Sequence, residues 1–119
     1  MKKNFIISWE IYPFDVMVSV KEGHGDIVKR IEKTKYKLNE EEKEKLWIEE
    51  TNKGRTIMLR GGQTIIRLES LEHDTIAHEI FHAVTFLMAR IGVELSDKSD
   101  EAYAYAIEFL TKKIYKQLK

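Results

Sequence analysis

Residues 64–88 read Thr64-Ile65-Ile66-Arg67-Leu68-Glu69-Ser70-Leu71-Glu72-His73-Asp74-Thr75-Ile76-Ala77-His78-Glu79-Ile80-Phe81-His82-Ala83-Val84-Thr85-Phe86-Leu87-Met88. The pattern changes within this stretch. Thr64–Leu68 is rich in β-branched residues and follows the tight-turn pair Gly61-Gly62, which predicts a strand. From about residue 72 the chain carries no proline and holds apolar residues almost all round a helical projection (Ile76, Ala77, Ile80, Phe81, Ala83, Val84, Phe86, Leu87, Met88). That is the pattern of a long buried helix. Gly92 breaks it near residue 91, and a second helix is expected over about 98–118, after Ser96-Asp97-Lys98-Ser99-Asp100.

The chain before this point reads mostly as sheet. Residues 5–12 and 14–20 carry β-branched and aromatic types and predict strand, interrupted or bulged at Pro13. Gly23-His24-Gly25-Asp26 predicts a turn, with Asp26 capping a helix over about 27–34. Asn39 precedes Glu40-Glu41-Glu42 and predicts a short helix to about Leu46, with the acidic run as its solvated face. A strand over 46–51, a turn at Asn52-Lys53-Gly54 and a strand at Thr56-Ile57-Met58-Leu59 complete the reading. A mixed sheet followed by two long helices is an α+β arrangement. No repeat or linker divides the chain, so residues 1–119 are expected to form a single domain.

Composition narrows the function. Twenty basic and twenty acidic residues cancel, so nothing in the totals provides an electrostatic footprint for nucleic acid or an anionic membrane. With no cysteine, any metal must be held by His, Asp or Glu. The first ten residues have a basic start but too short an apolar stretch for a signal peptide, and no uncharged run approaches a membrane span. A cytoplasmic protein without nucleic-acid or membrane partners is the expectation.

His78-Glu79-Ile80-Phe81-His82 places two histidines one helical turn apart on the same face. Two imidazoles so related can bind one tetrahedral ion, and the glutamate beside the first stands where a general base for an activated water belongs. The bland alternative is a pair of core histidines hydrogen-bonded to backbone or to a carboxylate. A buried helix favours metal, because ligation satisfies the polar groups together whereas each orphan costs about 1–3 kcal/mol. A catalytic zinc usually keeps three protein ligands and a water, and without cysteine the third is expected to be a carboxylate.

Eighteen residues separate His82 from Glu101, which stands in Asp100-Glu101-Ala102-Tyr103-Ala104-Tyr105. His-Glu-x-x-His, eighteen residues, then Glu resembles the gluzincin branch of the zincin metallopeptidases. The Gly-Gly-Gln-Thr-Ile-Ile-Arg-Leu strand and the Asp-Glu-Ala-Tyr-Ala-Tyr run look like small zincin-like proteins of phages and prophages. The resemblance covers roughly residues 55–115. More distantly, the chain is similar to peptidases of mobile elements that cleave phage-type repressors.

The resemblance implies a minimal zincin-like domain, with a twisted mixed sheet packed on an active-site helix and a C-terminal helix. His78, His82 and Glu101 would hold Zn2+, Glu79 would act as base and then proton donor, and the substrate would be a peptide or protein. Tyr105 is the candidate neutral donor to the developing oxyanion, with Tyr103 in the core. Small residues at Ala102, Ala104 and Ala106 suit a close approach of the last helix to the metal helix. His24 is expected to be exposed, and His73 to lie near the helix cap on another face. The rival reading is a non-catalytic, metal-stabilised protein-binding module of phage or prophage origin. A third, weaker one is a hydrolase of non-peptide amides.

Overall fold

Val16, Val18 and Val20 alternate with Met17 and Ser19, and all three valines are completely buried. That period of two defines strand β2 (Asp15–Val20), which pairs antiparallel with β1 (Lys3–Ser8) in a hairpin turning through residues 9–14. The expected interruption at Pro13 is therefore a full reversal of the chain, with Trp9 turned into the core. The computed structural model describes residues 1–34, 36–49 and 51–119.

Helix α1 (His24–Glu32) starts two residues before the expected cap: Gly23 is the N-cap and Asp26 lies in the first turn. Helix α2 (Glu40–Lys45) has the reciprocal capping box that Asn39 and Glu42 encode. Residues 46–49 form no strand, which corrects the expectation over 46–51; Glu50 lies outside the described residues. Strands β3 (Gly54–Met58) and β4 (Thr64–Leu68) form the second hairpin, then come α3 (His73–Ile91) and α4 (Asp100–Leu118).

The sheet order is β1-β2-β4-β3, with β2 and β4 parallel and the other pairs antiparallel. The domain is thus α+β with a four-stranded mixed sheet. Every residue of β4 is buried because this interior strand is covered on both faces. Ile66 and Leu68 pack with Ile76, Ile80, Val84, Leu110 and Ile114 beneath α3 and α4. Ile65, on the opposite face, packs with Ile27, Ile31, Leu46 and Ile57 under α1 and α2. The edge strand beside α3 is β3.

On α4 the contact side is an apolar stripe, with Tyr103, Leu110 and Ile114 buried and Ile107 and Leu118 half-buried. Ala102 and Ala104 are exposed, so the contact is made by these larger side chains and by Ala106, not by an alanine groove. Among the described residues, no helix is long and apolar enough to cross a membrane.

Candidate metal centre

Helix α3 ends at Gly92, whose φ of 78° places it in the left-handed region, and Val93 N–H closes the turn on Met88 O at 2.8 Å. Its core side (Ile76, Ile80, Ala83, Val84, Leu87) lies on the sheet and α4. Its outer side is open: Ala77, His78 and Phe81 are exposed and His82 is half-buried. This corrects the expectation of a helix buried all round. With His78 exposed and His82 half-buried, solvent can satisfy ring nitrogens that a buried helix would have left to a metal.

The pair stands at hydrogen-bonding distance, and the same spacing also suits one shared ion. His78 Nε2 and His82 Nε2 lie 3.1 Å apart, with ring centroids separated by 4.8 Å and planes at 74°. Two nitrogens on one tetrahedral zinc, each at about 2.0–2.1 Å, stand about 3.3 Å apart. The two rings already converge on the span that one ion needs, and Phe86 stacks behind His82 with centroids 6.4 Å apart.

Glu79 points a quarter turn away, toward the edge strand, and is only 5% exposed. Thr56 of β3 donates its hydroxyl to Glu79 Oε1 at 2.7 Å. Gly54, at the start of β3, lets the carboxylate lie against the strand: a Cβ there would stand 3.1 Å from Glu79 Cγ and from Oε2. A cleft of about 280 Å³, lined by Lys53, Gly54, Asp74, Thr75, His78 and Glu79, opens beside the first histidine.

The other expected residues lie elsewhere. Glu101 sits exposed in the first turn of α4. Among the described residues, no group of three or more His, Asp or Glu side chains is arranged to hold a metal ion, so Glu101 is not gathered with the histidine pair. Tyr105, 66% exposed, lines a different cavity with Trp9, Met88 and Phe109. Tyr103 is buried, as expected, and its hydroxyl donates to Val93 O at 2.8 Å. His73 is at the start of α3, away from the pair, with Nδ1 2.5 Å from the Tyr115 hydroxyl. His24 starts α1 and is half-buried, with its ring edge-on to Trp47, so it is neither in a loop nor freely exposed.

Sequence reasoning missed Thr56 and Gly54. Thr56 is 23 residues from Glu79 in the chain, and only the β3–β4 register, which pairs Thr56 with Ile66, turns it toward α3. The usable signal was the period of two in β3, which places Gly54, Thr56 and Met58 on one face and Ile57 on the other. Comparison with known proteins finds no family model, no curated protein and no solved structure that matches this chain.

Proposed function

We propose that this chain is a zincin-like, gluzincin-type metallopeptidase in which His78 and His82 hold a zinc ion and Glu79 is the base of peptide-bond hydrolysis. The observation that carries the reading is the 3.1 Å separation of the two Nε2 atoms, with a buried carboxylate one residue from the first. Zinc held there would lower the pKa of a bound water toward about 7 and polarise the scissile carbonyl. Thr56 occupies Oε1 of Glu79, which leaves Oε2, beside Gly54 and the cleft, to take the proton of the attacking water and return it to the leaving amine. The free side of β3 offers main-chain groups to an extended peptide, which would bind as an added strand.

Glu101 is the proposed third protein ligand. From the exposed first turn of α4 its carboxylate would have to move to join the pair as the ion binds. Tyr105 faces a cavity that none of the three motif residues lines, and no catalytic role is assigned to it. The second reading, a metal-stabilised binding module without catalysis, draws on how small the cleft is, about 280 Å³. A catalytic site keeps a position open to water, whereas a structural site is closed.

Elemental analysis of the purified protein tests the proposal. About one zinc per chain is expected, falling to a small fraction in His78→Ala and His82→Ala. If Glu101→Ala keeps full occupancy, the third ligand is solvent or another group. A parent chain that takes up no zinc, nor any other divalent metal, from excess overturns the reading altogether.

A further inference from the structure

Among the described residues, the buried side-chain nitrogen and oxygen atoms without a hydrogen-bond partner are two: Nδ1 of His24 and Nε of Arg67. Both residues line the same cavity of about 420 Å³, on the α1–α2 side of the sheet and separate from the histidine pair. Buried polar groups are nearly always paired, because leaving one without a partner is costly. Both orphans belong to the wall of this cavity, so a ligand entering it would meet polar groups with hydrogen-bonding capacity to spare.

The cavity wall carries the cations Lys2, Lys21 and Arg67 and the carboxylates Glu22, Glu49 and Glu69. Arg67 is 4% exposed; its Nη atoms donate to the carbonyls of Leu46 and Glu22, each at 2.7 Å, and it has one carboxylate partner, Glu69, at 3.2 Å. Burial pulls this guanidinium below its usual pKa, which shows how incompletely its charge is solvated. Glu22, also on the cavity wall, attracts this charge at a distance, but its carboxylate oxygens are hydrogen-bonded by Arg30 at 2.5 Å and by Ser19 at 2.6 Å, not by Arg67.

Helix α1 begins at the cavity. Gly23 offers no side-chain cap, so the amides of His24, Gly25 and Asp26 have no helical carbonyl to reach, and the positive end of the helix dipole lies there. Lys21 and Lys2 add cations at the rim, opposed by Glu49 and by Asp26, which stands 4.0 Å from Lys2.

We propose that this cavity binds a phosphate-type oxyanion, either inorganic phosphate or the phosphate of a small monoester. The start of α1, Lys21, His24 and Arg67 together offer more donors than the two oxygens of a carboxylate accept, and they suit the three or four oxygens of a phosphate. Trp47, 57% exposed and edge-on to His24 with centroids 5.5 Å apart, gives the organic part of a monoester a surface to lie on.

The test is a titration of the zinc-free, isotope-labelled protein with sodium phosphate, followed by amide and imidazole resonances and matched for ionic strength with sodium chloride. Saturable shifts confined to residues 21–26, His24 and Arg67 are expected with phosphate and not with chloride. Arg67 holds two loops and is left intact. Lys21→Gly removes a cation at a residue whose φ of 56° glycine adopts freely, so the fold is kept. It is expected to weaken binding about tenfold, the scale of one charge-assisted contact. Tighter binding of phenyl phosphate, with quenching of Trp47 fluorescence, identifies a monoester as the better ligand, and equal affinity identifies inorganic phosphate. Shifts that chloride reproduces, or that Lys21→Gly leaves unchanged, overturn the proposal and leave an ordered water as the partner of the two orphans.

Discussion

Glu42 and Glu79 are the same residue type, each 5% exposed and each on a helix facing the β3–β4 hairpin, yet their surroundings differ. Glu42 is saturated. It accepts from the Tyr36 hydroxyl at 2.7 Å, from the amides of Asn39 and Arg60 at 3.1 and 3.0 Å, and from Arg60 Nε at 3.3 Å. Among the described residues, Glu79 accepts one side-chain donor, Thr56, on one oxygen. A saturated buried carboxylate ties segments together and has nothing left to offer; one held by a single oxygen is placed while its other oxygen stays free. On the proposed function, the comparison separates a carboxylate that serves the fold from one that serves as a base.

Removing each charge should affect different quantities. Glu79→Gln keeps the shape of the side chain but loses the base, so hydrolysis should fall by about 10²–10⁴-fold with zinc content unchanged. Its melting temperature should stay close to the parent's. Glu42→Ala should do the reverse: several buried donors lose their acceptor, costing about 2–4 kcal/mol. Calorimetry should then show a melting point lower by roughly 10 °C, with zinc uptake intact in the fraction that remains folded. A Glu79→Gln protein that unfolds as easily as Glu42→Ala would show that Glu79 too is a structural staple.

The same contrast appears in acid. Burial alone pushes the Glu42 carboxyl up, but the Tyr36 hydroxyl, the Arg60 and Asn39 amides and the Arg60 guanidinium outweigh it and hold the group below the ordinary glutamate value of 4.5. A depressed folded pKa means that the unfolded chain binds the proton more readily. Glu42 therefore contributes stability that is fully present above 4.5 and is lost as the pH falls through its lower folded value. Chemical denaturation between pH 6 and pH 3 should show the parent losing stability more steeply than Glu42→Gln. Parallel curves would mean that the network does not depend on the charge.

What could be read from the sequence follows the range of the interactions concerned. The capping box of Asn39 and Glu42, strand β4 and the left-handed stop at Gly92 are set by residues close together in the chain, and the structure has them where the pattern places them. The burial of Glu42 was not legible: an acidic run reads as a solvated face until Tyr36 and Arg60 are known to meet it. The open face of α3 was equally hidden, because Ala77 and Phe81 are apolar and yet exposed. The i, i+4 convergence of the histidines is local and was legible. The relation of Glu101 to that pair depends on how two helices are placed in space, and spacing along the chain does not fix it.

The smallest expected effect is the most informative about Glu79. Thr56→Val keeps the shape of the β3 residue and removes only the hydroxyl that donates to Oε1. Stability should drop by about 1 kcal/mol, the usual worth of such a bond. If the hydroxyl serves to aim the carboxylate, kcat should fall about tenfold while KM and zinc content hold, because a misdirected base weakens the transition state more than substrate binding. Thr56→Ser should restore most of the loss. Gly54→Ala acts on the same carboxylate from the other side: the new Cβ would sit 3.1 Å from Oε2 and from the Arg67 carbonyl oxygen of β4, and the side chain gives way more easily than the backbone. In Thr56→Val the carboxylate is loosened and in Gly54→Ala it is displaced, so the second should cost more rate than the first. Equal stability losses in both variants with no change in kcat would place Thr56 and Gly54 with Tyr36 and Arg60, as partners of a carboxylate that serves only the fold.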